Sequence, residues 1–287
     1  MDDEALSLIS VLIPARGRPL ELARCIRSLR DASARDPDIE VLVAIDDDDE
    51  AFQRSPFTDP SARLLTGPRP ATLGAKLNRL AEAARGEILW FIADDYVMDS
   101  PGWQEHFRAE VATLPGGIGV LYPHDELHDD HASFPLITRR MYETVGYFAP
   151  VWFPFWFVDT WWDEIGILLH SRRCIDVQVS APGGRGRSHE LFDVAFWAQL
   201  FEDTRSMRMH DARALARVSG DAGGPGLDAM LRSLPARYAR CAQRTQALRD
   251  PQRIAFWENN QPLGARPERY LAIKAEGERL MRSLRGL

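Results

Sequence analysis

Residues 86–95 read Gly86-Glu87-Ile88-Leu89-Trp90-Phe91-Ile92-Ala93-Asp94-Asp95, so an apolar run stops at two adjacent acids. Such a run, opened by glycine and closed by charge, predicts a buried strand over Glu87 to Ala93. Carboxylates beside a strand of this kind are costly unless a partner meets them. A divalent cation carrying a diphosphate is one such partner, because Mg2+ and Mn2+ take oxygen ligands and complete their shell with phosphate. The alternative is a solvated strand-end turn, or a cap for the helix that begins near Ser100.

The same pattern recurs upstream. Ser10 to Ile13 reads as a strand that leaves through Pro14-Ala15-Arg16-Gly17-Arg18, and Pro19 then opens a helix with Leu22, Ile26 and Leu29 on one side. Glu40 to Ile45 is a second apolar, β-branched run, and it enters Asp46-Asp47-Asp48-Asp49-Glu50. Residues 53–71 read as a loop with one short strand near Arg63 to Leu65. Thr72 caps a helix bearing Leu73, Leu77, Leu80 and Ala84, which Gly86 ends. Downstream, Pro101-Gly102-Trp103 opens another helix, and Gly119 to Tyr122 is a fourth strand. Strands alternating with helices predict an α/β fold with a mostly parallel, doubly wound sheet. Ligands of such sheets bind beyond the carboxyl ends of the strands.

That rule selects the candidates. Asp94 and Asp95 stand first, as above. Asp46 or Asp47 can accept hydrogen bonds from ribose hydroxyls or a base N–H, although like-charge runs are commonly solvated loops. Arg16 and Arg18, with Pro14 and Ala15 in the same loop, suit phosphate or a stacked base; the plainer reading is an exposed basic loop. Lys76 and Asn78 lie on the first turns of a helix, where anions are favoured, or are simply surface positions.

Beyond residue 124 the pattern changes. Ser133 to Ile137 reads as an outlying strand, and Arg139 to Val145 as a short helix closed by Gly146. Residues 147–162 are dense in aromatics, Asp163 to His170 has helical character, and Ile175 to Val179 alternates like a strand. Gly183 to Arg187 is a loop before a helix over about Glu190 to Phe201. Residues 219–226 read as a linker to a helical, Arg-rich tail spanning 227–287, with a break at Pro235. The expected organisation is a domain over 1–218, with a donor half near 8–124 and an acceptor half near 125–218, followed by this extension.

Bulk properties narrow the function. The 287 residues suit one large α/β domain with an appendage, and a hydrophobic content of 45% fits a globular chain. A net charge of -7, from 35 basic and 42 acidic residues, does not suggest a nucleic-acid partner. The acidic start, Asp2-Asp3-Glu4, lacks a signal-peptide pattern, and the aromatic run Val151 to Val158 is far short of a membrane span. Cys25, Cys174 and Cys241 form no CxxC pair, which fits a reducing cytoplasm.

In order and spacing these segments resemble the nucleotide-sugar domain of GT-A glycosyltransferases, particularly the inverting family 2 group, over roughly residues 8–205. The resemblance rests on Val11-Leu12-Ile13-Pro14, the second strand ending in acid, Gly74-Ala75-Lys76-Leu77-Asn78-Arg79-Leu80-Ala81, Gly86-Glu87-Ile88 through Asp94-Asp95, and Pro101-Gly102-Trp103. It implies a GT-A (Rossmann-like) sheet, a UDP- or GDP-sugar donor, an unnamed acceptor and a divalent cation, Mn2+ or Mg2+. The family's acidic motif separates its carboxylates by one residue. Here position 93 is alanine, so Asp94 and Asp95 must share that work.

The resemblance implies two further sites. A catalytic carboxylate at a helix start after an aromatic loop maps to Phe157-Val158-Asp159-Thr160-Trp161-Trp162-Asp163-Glu164, where Asp159-Thr160 replaces the usual Glu-Asp pair. Asp159 is the first choice of base and Asp163 the second; their plain readings are an N-cap and a surface acid. Trp152, Trp156, Trp161 and Trp162 are either an acceptor platform or core. A histidine completing the metal shell maps to His189. The rival readings are a sugar-1-phosphate nucleotidylyltransferase, disfavoured by the single glycine in the loop 14–18, and a non-catalytic nucleotide-sugar-binding protein. The tail is left to pack on its own domain or on a second copy in a homo-oligomer.

Overall fold

A computed structural model describes residues 8–126, 130–183, 193–219, 232–234, 236 and 267–286. The expected linker, apart from Ser219, and His189 lie outside these residues. Among the described residues eight strands form one sheet: β1 (Ile9–Ala15), β2 (Ile39–Asp46), β3 (Ala62–Gly67), β4 (Ile88–Phe91), β5 (Val97–Met98), β6 (Val120–Asp125), β7 (Leu136–Thr138) and β8 (Arg172–Ser180). Their order is β3-β2-β1-β4-β7-β6-β8-β5. The first four pair in parallel, with Ile9 opposite both Ile39 and Ile88. β7 runs antiparallel between β4 and β6, and β6 and β8 are again parallel. The sheet is thus mostly parallel and helix-flanked, as the alternation of elements predicts, and is of the GT-A kind that the resemblance implies.

The central strands β1, β2 and β4 are largely apolar and buried because both faces are covered. One cover is α1 (Pro19–Ala32), which buries Leu22, Cys25, Ile26 and Leu29. Another is α3 (Leu73–Ala83), held at its start by the Thr72 hydroxyl, which accepts from the Ala75 N–H at 3.2 Å. A short α2 (Glu50–Arg54) follows β2, and α4 (Trp103–Ala112) places Trp103 and Phe107 against Trp90. Each parallel strand therefore ends at the same rim, and the acids that follow β2 and β4 come together there.

The second half is built from α5 (Arg139–Val145), α6 (Val158–Leu169), α7 (Val194–Asp203) and α8 (Arg205–Ser219). α6 begins five residues earlier than its polar pattern suggests, because Trp161 and Trp162 are both buried helix residues. A last helix, α9 (Glu268–Arg285), lies on α7: the Trp197 indole N–H donates to the Tyr270 hydroxyl at 2.7 Å, and Lys274 pairs with Asp193 at 2.9 Å. Gly277 allows the close approach, since a Cβ there would meet Leu200 at 3.1 Å. Among the described residues no helix is long and apolar enough to cross a membrane.

Candidate functional site

The loop leaving β1 is tied to both acidic segments through its backbone. The Arg16 N–H donates to Asp94 Oδ2 at 3.3 Å, and the Gly17 N–H donates to Asp49 Oδ2 at 2.7 Å. Gly17 sits at φ 71°, a left-handed conformation that glycine adopts without strain. Asp49 also caps α2, accepting from the Ala51 N–H at 3.0 Å. Pro14 and Ala15 form the last residues of β1 beneath this loop.

The side chains interleave. Asp46, the last residue of β2, is only 2% exposed and meets Lys76 Nζ at 2.7 Å and Arg16 Nη1 at 2.8 Å. Arg16 also reaches Asp48 at 2.6 Å, while Lys76 donates to the Ala15 carbonyl at 3.1 Å. The two arms of the Arg18 guanidinium hold Asp94 and Asp95. Burial pushes the Asp94 carboxyl up to about 7, against the pull of Arg18 and with the help of Asp95. Burial also lowers the Lys76 ammonium, with Asp46 opposing the shift. Ala15, Arg16, Arg18, Asp46, Lys76, Asp94 and Asp95 thus share one rim. Asp47 is exposed beside them, and its backbone N–H donates to Gly67 at 2.9 Å.

Asn78 is placed differently. Its carbonyl oxygen accepts from the N–H groups of Phe148 and Ala149 at 2.8 Å each, and its amide donates to the Ala149 carbonyl at 2.9 Å. It ties the aromatic loop to α3. Gly74 makes the same contact possible, since a Cβ there would lie 1.9 Å from the Pro150 carbonyl oxygen. The loop leading to α6 is thereby held against the helix that carries Lys76.

At the start of α6 the two expected acids part company. Asp159 is half-buried and accepts from the Thr160 N–H at 2.8 Å, and the Thr160 hydroxyl lies 3.4 Å from His131 Nε2. Asp163 is buried, accepts from the Ala132 N–H at 3.0 Å and pairs with Arg172 at 3.1 Å. Trp161 and Trp162 are wholly buried, their indole N–H groups donating to Tyr147 and to the Phe148 carbonyl. They are core, and of the four tryptophans only Trp152 and Trp156 remain partly exposed.

The fit of a divalent cation rests on the donor set. Asp94 and Asp95 converge on one cationic group, the Arg18 fork, and offer hard oxygens from adjacent residues. Two carboxylates suit Mg2+ or Mn2+, which leave positions for phosphate and water. Among the described residues no cluster of three His, Cys, Asp or Glu could hold a metal.

Three residues at or near the site escape a reading of the sequence. Asp125 ends β6, is 2% exposed and accepts from the Tyr96 hydroxyl at 3.3 Å. Pro123 interrupts the apolar run that would have pointed to it. Arg69, in the loop after β3, lies 4.0 Å from Asp46. His131 stands beside Thr160, in a run of acids and histidines without periodicity.

Residues 10–146 match the family described as Glycosyl transferase family 2. No curated protein matches the sequence. Among solved structures, the chain is similar to S. aureus TarS 1–349 in complex with UDP-GlcNAc, at 14% identity and a TM-score of 0.51, covering 80% of this chain and 72% of that one. The same TarS segment in complex with UDP gives 13% identity and a TM-score of 0.50, over 80% and 71%. The mannosyltransferase PcManGT from Pyrobaculum calidifontis, in complex with GDP-Man and Mn2+, gives 16% identity and a TM-score of 0.47, over 95% and 85%. The likeness to TarS is one of fold. The chain therefore has the GT-A fold, and its residues 10–146 match glycosyltransferase family 2.

Proposed function

We propose that this protein transfers a sugar from a nucleotide-diphosphate sugar to an acceptor hydroxyl by single displacement, with inversion at the anomeric carbon. The observation that carries the reading is the rim itself, where Asp46, Asp94 and Asp95 alternate with Arg16, Arg18 and Lys76. Interleaved acids and bases of this kind suit a ligand that presents hydroxyls and phosphates side by side. The carboxylates take ribose or base donors, and the cations take diphosphate oxygens. TarS, which shares the fold, was solved with UDP and with UDP-GlcNAc, which supports a nucleotide at this rim.

Asp94 and Asp95 would hold a divalent cation, whose chemistry is to offset charge on the diphosphate leaving group. Arg16 and Arg18 supply positive charge to the same group, and both are partly exposed and able to turn toward it. Asp159 takes the proton of the acceptor hydroxyl as general base. Its carboxylate has only Thr160 as a partner among the bonds described, whereas Asp163 is committed to Arg172 and the Ala132 N–H. Trp152 and Trp156, in the loop before α6, offer partly exposed aromatic faces.

The test is nucleoside diphosphate release from a panel of UDP- and GDP-sugars, with and without added acceptors. The wild type is expected to release UDP or GDP, and D159N to lose roughly 100-fold or more in turnover while keeping donor affinity. Pyrophosphate release from a nucleoside triphosphate and a sugar 1-phosphate would point to a nucleotidylyltransferase instead. Tight donor binding with no turnover toward any acceptor or water would point to a binding protein.

A further inference from the structure

The C-terminal helix carries charge to the donor rim. Arg269, in the first turn of α9, donates to the carbonyl oxygens of Pro70 and Ala71, the second at 2.8 Å. Those carbonyls belong to the segment that joins β3 to the Thr72 cap of α3, so a residue near the end of the chain reaches the loop beside Asp46 and Lys76. The helix has its own anchors further along, in Tyr270, Lys274 and Gly277 against α7. Arg269 is therefore held in place by a helix that does not depend on it.

The charges around it do not balance pair by pair. Asp46 is already taken by Lys76 at 2.7 Å and Arg16 at 2.8 Å, and Asp48 by Arg16 at 2.6 Å. Asp49 turns its carboxylate to backbone N–H groups at Gly17 and Ala51. Arg69 is left 4.0 Å from Asp46, and among the described residues no carboxylate lies within ion-pair distance of Arg269. Burial lowers both guanidinium groups, with Arg16 adding to the shift at Arg69 and Arg69 adding to it at Arg269, while Asp46 and Asp48 oppose it at both. A partly exposed guanidinium without a close carboxylate is open to an anion, and it offers phosphate a pair of parallel donors.

We infer that Arg69 and Arg269 form a phosphate-binding wall of the nucleotide site, one half supplied by the loop after β3 and the other by the C-terminal helix. The identity of that phosphate, as a group of the donor nucleotide, rests on the reading proposed above. The helical tail is then part of the donor site, and its docking on α7 fixes the position of a ligand-binding side chain.

The experiment is isothermal titration of the wild type, R269Q, R269K and R285Q with UDP, GDP, the matching nucleosides and pyrophosphate. Gln keeps an N–H donor for the 70–71 carbonyls while removing the charge, and Arg285 pairs with Asp203 at the far end of the same helix. R269Q is expected to weaken the bound nucleoside diphosphate and pyrophosphate by roughly tenfold, to leave nucleoside binding unchanged, and to be partly rescued in R269K. R285Q should bind like the wild type. Unchanged diphosphate affinity in R269Q, or an equal loss against the nucleoside, would overturn the phosphate wall. If pyrophosphate binds in an Arg269-dependent way while UDP and GDP do not bind, the wall stands and the nucleotide reading fails. If nucleotides bind equally to wild type and R269Q, the reading stands and the wall fails. A wild type that binds none of these probes overturns both.

Discussion

At the rim, the carboxylate of Asp46 is shared by Lys76 and Arg16, and the Arg16 side chain remains 37% exposed. In the interior of the second half, Glu164 meets Arg208 at 3.1 Å, and the Arg208 side chain is 0% exposed. Its guanidinium lies 3.7 Å from the centroid of the Phe201 ring and 5.0 Å from that of Trp161. Beside it, the Tyr147 hydroxyl donates to Asp211 and accepts from the Trp161 indole N–H. Both regions set acids against arginines. At the rim Arg16 and Arg18 keep access to water and can turn toward a ligand. In the interior they are walled by aromatic rings and have nowhere to turn. The first arrangement is built for exchange of partners and the second for fixing the packing of α6 against α8.

The largest expected effect therefore falls in the interior. R208A strands a buried Glu164 carboxylate and empties an aromatic-walled space, at a cost of about 3–5 kcal/mol in urea unfolding. Because well-packed apolar replacements of buried ion pairs are tolerated, R208M/E164L should recover most of that loss. An R208A protein as stable as the wild type would erase the distinction drawn between the two regions. The rim variant D94N should behave the other way round. It is expected to keep the folded protein within about 1 kcal/mol of wild-type stability, since burial already favours an uncharged side chain there, while reducing turnover about 100-fold. Denaturation and donor-turnover assays on the same preparation separate the two effects.

A smaller effect concerns pH. Burial raises the Asp211 carboxyl, with Tyr147 and His210 opposing the shift. A carboxyl raised on folding binds a proton that the unfolded chain has already released. Its stabilising contribution is present below the unfolded value and is lost as pH climbs through the folded one. The urea midpoint should fall over that window in the wild type and fall less in D211N. The smallest effect is expected at the outer face of α9, where Arg285 meets Asp203 with 44% of its side chain exposed. R285Q should cost no more than about 1 kcal/mol, and the loss should shrink further in high salt.

The same contrast explains what a reading of the chain could and could not reach. The junctions at Asp46 and Asp94 were legible because an apolar run and the acid that ends it are neighbours in sequence. That Lys76 would share Asp46 with Arg16 needs the parallel register of β1 and β2 and the seat of α3 above them. Arg69 lay in a Pro- and Arg-rich loop with no periodicity, and Arg269 lies 198 residues from the Ala71 carbonyl that it meets. In α6 the local pattern was ambiguous for a physical reason. Trp161 and Trp162 sit in a helix buried on most of its surface, so aromatic content could not separate a platform from a core. The sequence ranks Asp159 ahead of Asp163 as base but cannot show that Arg172 of β8 approaches only Asp163. Asn78 matched a donor-binding helix by position, and its amide makes three hydrogen bonds to the backbone at 148–149.

The central claim is that the acids and arginines at the carboxyl ends of β1, β2 and β4 receive a nucleoside diphosphate together with a divalent cation. The most direct test is the unfolding temperature of the wild type and D94N with UDP and with GDP, each measured with and without Mn2+. Binding to the native state raises that temperature by mass action. The account predicts a clear rise for one of the two nucleotides in the wild type, larger with Mn2+ than without, and little or no Mn2+-dependent rise in D94N. A flat response of the wild type to both nucleotides, or an equal Mn2+-dependent rise in D94N, would contradict it.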